Sequence, residues 1–190
     1  TLILRIEDID EQRSKSVFAE AFMADMRRLG LDWDEGPDMG GSYGPYVQSQ
    51  RYFMYEEALN RLKRDGLIYP CYCSRARLQR LSSAPHEGEY TVYDGHCYGL
   101  SEESRPEGKS PSLRLHVPDE LITYTDSVYG AQSEDLSKEC GDFIVRRADG
   151  LYAYQLAVSV DDGAMDITHV LRGRDLLEST ERQILLRRLL

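Results

Sequence analysis

The chain has 190 residues, of which 41% are hydrophobic and 29% are charged, and its formal net charge is −10. This composition is typical of a globular protein and excludes a disordered chain or a fibre. The acidic excess argues against a general nucleic-acid coat, because phosphate affinity comes from clustered Lys and Arg. Apolar runs far shorter than the roughly 20 residues of a membrane span lead us to expect a soluble, cytoplasmic protein with no membrane partner, and we expect a monomer.

The first third of the chain alternates between predicted strands and helices. Residues 2–6 predict a short buried strand, and Ser16 is positioned to cap the helix that follows. The apolar face of that helix would carry Val17, Ala21, Ala24 and Leu29. Ser49 is positioned to cap a second helix, and residues 67–69 predict another strand. The apolar face of the second helix would carry Tyr52, Tyr55, Leu59 and Leu62. Strands alternating with helices favour an α/β fold with a mostly parallel sheet, of which residues 1–69 would form the first part.

The middle of the chain has a different character. In residues 70–141, Cys, Gly, Ser and Pro dominate, and we interpret this stretch as an insert. Residues 142–190 then return to apolar strand and helix patterns, with a strand predicted at residues 167–171 and a capping box, Thr180-x-x-Gln183, at the start of a last helix. The chain starts on a strand and stops inside that helix, so we expect a piece of a longer protein.

Three cysteines of the insert suggest a metal site. Cys71-x-Cys73 and Cys97 would supply three thiolates of a tetrahedral structural zinc site, although three buried thiols are the alternative. The spacing leaves the fourth ligand open, and imidazole is the commoner zinc ligand, so His96 leads on chemistry alone. The candidates for the fourth ligand are His96, His86, Tyr93 and Asp94.

Five segments along the chain carry a resemblance. They are Leu4-Arg5-Ile6-Glu7-Asp8-Ile9-Asp10, the Gly/Pro/Tyr-rich run at residues 36–49, Asp142-Phe143-Ile144-Val145-Arg146-Arg147, Tyr152-Ala153-Tyr154-Gln155-Leu156-Ala157 with Asp161-Asp162, and Thr168-His169-Val170-Leu171-Arg172-Gly173 with Arg182-Gln183. In this order they resemble the elements of the glutamyl-tRNA synthetase family of class I. The resemblance implies a Rossmann-like class I aminoacyl-tRNA synthetase catalytic core, in two parts (1–69 and 142–190), with a zinc-containing, acceptor-binding-like insert at 70–141.

Two branches of that family differ in the second pair of zinc ligands, the pair that follows the C-x-C motif. Ordinary members with zinc show C-x-H where this chain has Cys97-x-Gly99, whereas Tyr93-x-x-x-Cys97 resembles the glutamyl-Q tRNA(Asp) synthetases, a shortened branch without an anticodon-binding domain. The resemblance therefore moves the expected fourth ligand from His96 to Tyr93, giving the set Cys71, Cys73, Tyr93 and Cys97.

The same resemblance implies an activity. It is the activation of glutamate with ATP and Mg²⁺, followed by transfer to the queuosine base at the wobble position of tRNA(Asp). The alternatives are an ordinary catalytic core that charges tRNA(Glu) and a binding module without chemistry. The ATP signatures of class I, H-x-G-H and K-M-S-K-S, do not occur in these 190 residues. We therefore predict no catalytic residue within them and expect that this stretch alone does not activate glutamate.

The resemblance also implies a glutamate site. Glu7 would pair with the ammonium group, Arg172 would bind a carboxylate through parallel N–H bonds, and Tyr154 would offer its hydroxyl. Taken without the resemblance, each has a structural alternative: an acidic turn, a solvated strand-end charge and core packing, respectively.

A pair of aspartates and a group of arginines each allow two interpretations. We interpret Asp161-Asp162 as a polar loop in preference to a metal-binding pair. The arginines after the cysteine pair, Arg75, Arg77 and Arg80, would either meet tRNA phosphate or form a solvated helix face.

Overall fold

The computed structural model describes residues 1–10, 12–74, 76–78 and 92–190. In chain order its helices and strands are α1 (Ser16–Arg28), α2 (Tyr52–Arg64), β1 (Ile68–Cys71), β2 (Ser112–Leu115), β3 (Leu121–Asp126), β4 (Gly130–Asp135), α3 (Leu136–Glu139), β5 (Phe143–Arg146), α4 (Tyr154–Ala164) and α5 (Thr180–Leu189). Short 3₁₀ turns cover Gln48–Gln50, Glu102–Ser104 and Arg174–Ser179. Among the described residues, no helix is both long and apolar enough to cross a membrane.

The strands pair in two antiparallel sheets. One has the order β1-β2-β5, and the other is the β3-β4 hairpin. Parallel pairing occurs as isolated bridges, Ile3 with Glu35 and Ile6 with Val47. The expected mostly parallel sheet is therefore wrong for the part of the chain described, because β1 and β5 both pair antiparallel with β2, which lies within the predicted insert. The mixed α/β content itself agrees with the prediction.

The segment predicted as a strand at residues 167–171 is irregular in the structure. Val170 and Leu171 are exposed, and this apolar run joins neither of the two sheets that the structure describes. The predicted division at residues 69/70 and 141/142 stays a prediction, and β2 hydrogen-bonds across both boundaries.

The core lies between α2, α4, α5 and the three-stranded sheet. The apolar face predicted for α2 is in place, since Tyr55, Leu59 and Leu62 are fully buried there. Packing of this kind contributes about 1.5–3 kcal/mol for each large apolar side chain. By contrast, α1 has no buried residue among its 13, so its predicted apolar face is uncovered by the described residues.

Two predicted helix caps are not used as caps. Lys15 precedes α1, so Ser16 is already the first helical residue. Ser49 lies in the 3₁₀ turn before α2 and donates from its hydroxyl and its backbone N–H to the carboxylate of Asp8, at 2.7 and 2.8 Å. That contact ties the start of α2 to the acidic turn that follows the first predicted strand.

Candidate functional site

A fully buried carboxylate, Asp161, organises the polar side of the core. It lies on α4 and accepts hydrogen bonds from Arg51 Nε at 2.6 Å, from Gln48 Nε2 at 2.8 Å and from the Tyr55 hydroxyl at 2.9 Å. The carboxylate thereby joins α4 to the beginning of α2. The predicted polar loop is wrong here, because Asp161 and Asp162 are both helical and buried. Donors from Arg, Tyr and Gln surround the Asp161 oxygens, which argues against a metal there as well.

Arg5 extends this network toward Glu7. Its Nη1 lies 2.9 Å from Asp162 Oδ1, its Nε lies 3.4 Å from Asp161 Oδ2, and its Nη2 lies 3.4 Å from Glu7 Oε1. The Glu7 side chain is 42% exposed, so it has room for a ligand on its open side. Burial raises the pKa of the Glu7 carboxyl, and the nearby Arg5 charge opposes that rise. A bound cation would favour the ionised carboxylate further.

Arg172 is held by neutral acceptors. Its Nη1 donates to Gln183 Oε1 at 2.7 Å, and its Nη2 donates to Thr180 Oγ1 at 2.5 Å. The predicted capping box is therefore wrong: α5 begins at Thr180 as expected, but both side chains orient the guanidinium and no side-chain cap bond forms. None of the ion pairs among the described residues involves Arg172, so its charge and its remaining N–H groups can receive an anion.

Helix α4 supports all three predicted glutamate-site residues. Tyr154 is its first residue and is half-buried. Gln155, the next residue, accepts a hydrogen bond from Gln183 at 3.1 Å and so connects to Arg172. Asp162, near the C-terminal end of the helix, connects through Arg5 to Glu7. At a rise of about 1.5 Å per residue, Tyr154 and Asp162 are about 12 Å apart along the helix axis. The structure thus ties the three residues to one rigid element, while their roles toward glutamate stay predictions.

Sequence reasoning missed the supporting residues of this site. Arg5 and Arg51 were assigned no role, yet they hold the two buried carboxylates. A charged residue inside the apolar run at residues 2–6 was the available signal for Arg5. No local pattern marks Arg51, which reaches Asp161 across 110 residues of sequence.

The cysteine cluster forms where β1 ends. Cys71, Cys73 and Cys97 place their sulfur atoms within 4.8 Å of one another, and Cys73 Sγ lies 3.7 Å from Cys97 Sγ. The Tyr93 hydroxyl joins them, at 3.4 Å from Cys71 Sγ and 3.6 Å from Cys73 Sγ. In a tetrahedral zinc site, Zn–S and Zn–O bonds of about 2.3 and 2.0–2.2 Å give sulfur–sulfur edges of about 3.8 Å and sulfur–oxygen edges of about 3.5–3.7 Å. The donor set and its spacing therefore fit zinc.

The backbone around Tyr93 fixes its position. The Tyr93 N–H donates to the Cys140 carbonyl at 3.2 Å, and the Cys97 N–H donates to the Tyr93 hydroxyl at 3.0 Å. Gly141 has a φ of 67°, and a Cβ there would lie 2.6 Å from the Tyr93 carbonyl oxygen. Only glycine allows the chain to approach Tyr93 this closely.

Two thiols of the cluster differ in acidity. Burial raises the pKa of the Cys71 thiol, but the hydrogen bond with the Tyr93 hydroxyl and the nearby Arg114 guanidinium outweigh burial and bring it to about 7. Burial raises the pKa of Cys73 to about 11. Of these two thiols, Cys71 is therefore the one that ionises more readily.

The other candidate ligands are placed elsewhere or not described. His96 is exposed and stands outside the cluster, and Asp94 pairs with Arg77 at 2.5 Å. His86, Arg75 and Arg80 lie outside the described residues. Arg77 is the one member of the predicted arginine group whose position is described, and it lies on the surface in that ion pair.

An α/β core with polar side chains gathered on one helix, together with a cluster of three cysteines, agrees with a class I synthetase catalytic domain. A family sequence model described as "tRNA synthetases class I (E and Q), catalytic domain" matches residues 1–190. The chain belongs to this family of class I tRNA synthetases, as its five sequence elements predicted.

Curated relatives divide between two activities. The chain is 56% identical to the glutamyl-Q tRNA(Asp) synthetase of Symbiobacterium thermophilum, over 99% of this chain and 60% of that protein. It is 48% identical to the glutamyl-Q tRNA(Asp) synthetase of Nitratidesulfovibrio vulgaris, over 100% of this chain and 60% of that protein. Identity to the glutamate–tRNA ligase of Sulfurihydrogenibium sp. is 44%, over 98% of this chain and 40% of that protein. The chain thus spans 60% of the length of the first two relatives.

A solved structure supports the fold. The crystal structure of the glutamate-tRNA synthetase from Elizabethkingia anophelis superposes with a TM-score of 0.81 at 28% identity, covering 98% of this chain and 40% of that one. This structural similarity confirms the predicted class I catalytic fold.

Proposed function

We propose that the whole protein activates glutamate with ATP and Mg²⁺ and transfers it to the queuosine base at the wobble position of tRNA(Asp). The observation that carries this proposal is the higher identity to glutamyl-Q tRNA(Asp) synthetases, 56% and 48%, than to the glutamate–tRNA ligase, 44%. Tyr93 in the cysteine cluster, instead of a C-x-H histidine, supports the same branch.

The proposed glutamate site uses complementary charges. Glu7 receives the ammonium group on its exposed side, and Arg172 receives a carboxylate while Gln183 and Thr180 keep its plane fixed. Two of its five N–H donors are then engaged by protein, so a bidentate contact to substrate remains open. The hydroxyl of Tyr154 supplies a third, neutral contact.

The proposed reaction has two steps. A carboxylate oxygen of glutamate attacks the α-phosphorus of ATP, which forms glutamyl-adenylate and releases pyrophosphate. A hydroxyl group of the queuosine base then attacks the acyl carbon, which forms the ester and releases AMP. The residues described here bind and orient glutamate in both steps, because Glu7 and Arg172 hold its charged groups throughout.

We further propose that Cys71, Cys73, Tyr93 and Cys97 hold a structural zinc ion. The support is the donor spacing, together with the burial of Cys71, Tyr93 and Cys97. When bound, zinc would cross-link β1 to the turn at residues 93–97. That link would stabilise an insert whose buried cluster is small.

One assay on the full-length protein tests the activity. Labelled glutamate and ATP are supplied with tRNA(Asp) containing queuosine, tRNA(Asp) lacking it, and tRNA(Glu). We expect label on the queuosine-containing tRNA(Asp) only, and much less with Glu7→Gln. Label on tRNA(Asp) without queuosine, or on none of the three, would refute the proposed acceptor.

The second candidate is an ordinary glutamate–tRNA ligase that charges tRNA(Glu). The 44% identity to a named glutamate–tRNA ligase and the TM-score of 0.81 to a glutamate-tRNA synthetase favour it. Label on tRNA(Glu) in the same assay would establish it, and Tyr93 would then fail as a marker of the branch.

A further inference from the structure

Arg114 is a buried cation that forms an ion pair with none of the carboxylates that the structure describes. It lies on β2, the central strand of the three-stranded sheet, and is 5% exposed. It donates one hydrogen bond from Nη1 to the backbone carbonyl of Asp142. Its Nε is buried with no hydrogen-bond partner, and none of the ion pairs of the described residues involves it. A charge buried in this way is unfavourable unless something nearby compensates it.

The guanidinium group faces the cysteine cluster. Its central carbon lies 3.7 Å from the centroid of the Tyr93 ring, which is the geometry of a cation–π contact. The hydroxyl of the same tyrosine lies 3.4 Å from the sulfur of Cys71, a residue that is 2% exposed. The neighbouring carboxylate of Asp142 is engaged by the Tyr69 hydroxyl at 2.6 Å and by the Val117 N–H at 2.8 Å.

The charge of a filled metal site would supply the missing partner. A divalent ion bound by three thiolates leaves at least one negative charge in excess, and a phenolate would add another. That excess would lie on the three sulfur atoms and on Tyr93, whose ring Arg114 already contacts. We propose that Arg114 is a positioning residue for the metal centre: its guanidinium fixes the ring of Tyr93 and balances the excess negative charge of the thiolates.

This inference rests on the proposed zinc site and is tested on the full-length protein by metal binding instead of activity. Three variants are compared with wild type: Arg114→Gln, which removes the charge, Arg114→Lys, which keeps it, and Arg77→Gln. Arg77 is the matched control, because it also lies beside the Tyr93 turn but on the surface and paired with Asp94. The zinc dissociation constant is measured by competition with a chromogenic chelator. Melting temperatures are measured with zinc and after its removal.

Loss of a group that supports metal ligands typically weakens metal affinity about 10- to 100-fold, and we expect this for Arg114→Gln. Arg114→Lys should recover most of the affinity, and Arg77→Gln should change it less than about twofold, because an exposed charge is screened by water and salt. The melting temperature of Arg114→Gln should fall more with zinc than without it.

A different result is expected if Arg114 only stabilises the fold. The melting temperature of Arg114→Gln would then fall equally with and without zinc, and its zinc dissociation constant would not change. That outcome would overturn the inference. If Arg114→Gln does not fold, Arg114→Lys with cobalt in place of zinc decides. We expect the thiolate-to-cobalt absorption of this variant to shift as Tyr93 moves, and an unchanged spectrum would overturn the inference. If the wild-type protein binds no zinc, both the zinc site and the role of Arg114 are refuted. If the protein binds zinc but does not transfer glutamate, the proposed function fails and the role of Arg114 stands.

Discussion

Replacing Asp161 with asparagine should destabilise the fold strongly. Its carboxylate accepts from Arg51, Tyr55 and Gln48 at 2.6–2.9 Å, and Arg51 is only 1% exposed. An asparagine amide would turn N–H groups toward these donors and leave the Arg51 charge uncompensated. Breaking a buried ion pair in this way costs about 3–5 kcal/mol. For a domain of this size 1 kcal/mol corresponds to about 2–4 °C, so the melting temperature should fall by about 6–20 °C.

The measurement is thermal unfolding of the full-length protein followed by circular dichroism. Asp149→Asn is the matched control, since Asp149 pairs with Arg147 at 2.5 Å on the surface. Such pairs contribute about 0–1 kcal/mol, so the control should shift the melting temperature by less than about 4 °C. Equal shifts for the two variants would refute the reasoning, because they would mean that the buried network adds nothing beyond a surface pair.

Four further predictions follow from individual residues. Elemental analysis should find about one zinc per chain in the wild type and little in Cys73→Ser; a fully folded, metal-free wild type would exclude the site. Gly141→Ala should lower the melting temperature and weaken zinc binding, because its Cβ would collide with Tyr93; unchanged zinc affinity would contradict this. Glu7→Gln should raise the KM for glutamate about 10- to 100-fold, the equivalent of one charged hydrogen bond of about 1.5–3 kcal/mol; an unaltered KM would remove Glu7 from the site. Burial and the nearby Glu181 charge raise the pKa of Glu134 to about 7 from the ordinary 4.5. The folded state therefore favours protonated Glu134, and its stabilising contribution is lost as the pH rises from about 4.5 through 7. Thermal melts at about pH 5 and pH 8 should show a smaller loss in Glu134→Gln than in wild type, and identical losses would show that this carboxyl does not titrate on unfolding.

The predictions that are confirmed concern features that depend on residues close together in the sequence. The face of α2 with Tyr55, Leu59 and Leu62 repeats at helical spacing, and those side chains are buried as expected. The close spacing of Cys71 and Cys73 indicated a metal cluster, and their sulfur atoms do converge. Only the family resemblance favours Tyr93 over His96, since ligand chemistry alone favours imidazole.

Partners outside the local pattern explain the predictions that were wrong. The sequence around Asp161 indicates a polar loop, but Arg51 compensates its burial from 110 residues away. Thr180 and Gln183 match a capping box, but Arg172, 8 and 11 residues before them, offers their side chains a charged donor that outcompetes the backbone N–H groups. Residues 167–171 match a strand by composition, but they pair with none of the strands that the structure describes.

The two polar clusters differ in how far apart their members lie along the chain, and this separation bears on the order of folding. The pairing of Arg5 with Asp162 closes a loop of 157 residues, whereas Cys73 and Cys97 are 24 residues apart. Since loop closure costs entropy in proportion to the logarithm of loop length, the longer closure is less favourable by about 1.7 kcal/mol. The contacts among Cys71, Cys73 and Cys97 can therefore form early, soon after residue 97 has been made. The contacts of Arg5 with Asp161 and Asp162 can form only after α4 has been made and has packed against residues 5–7.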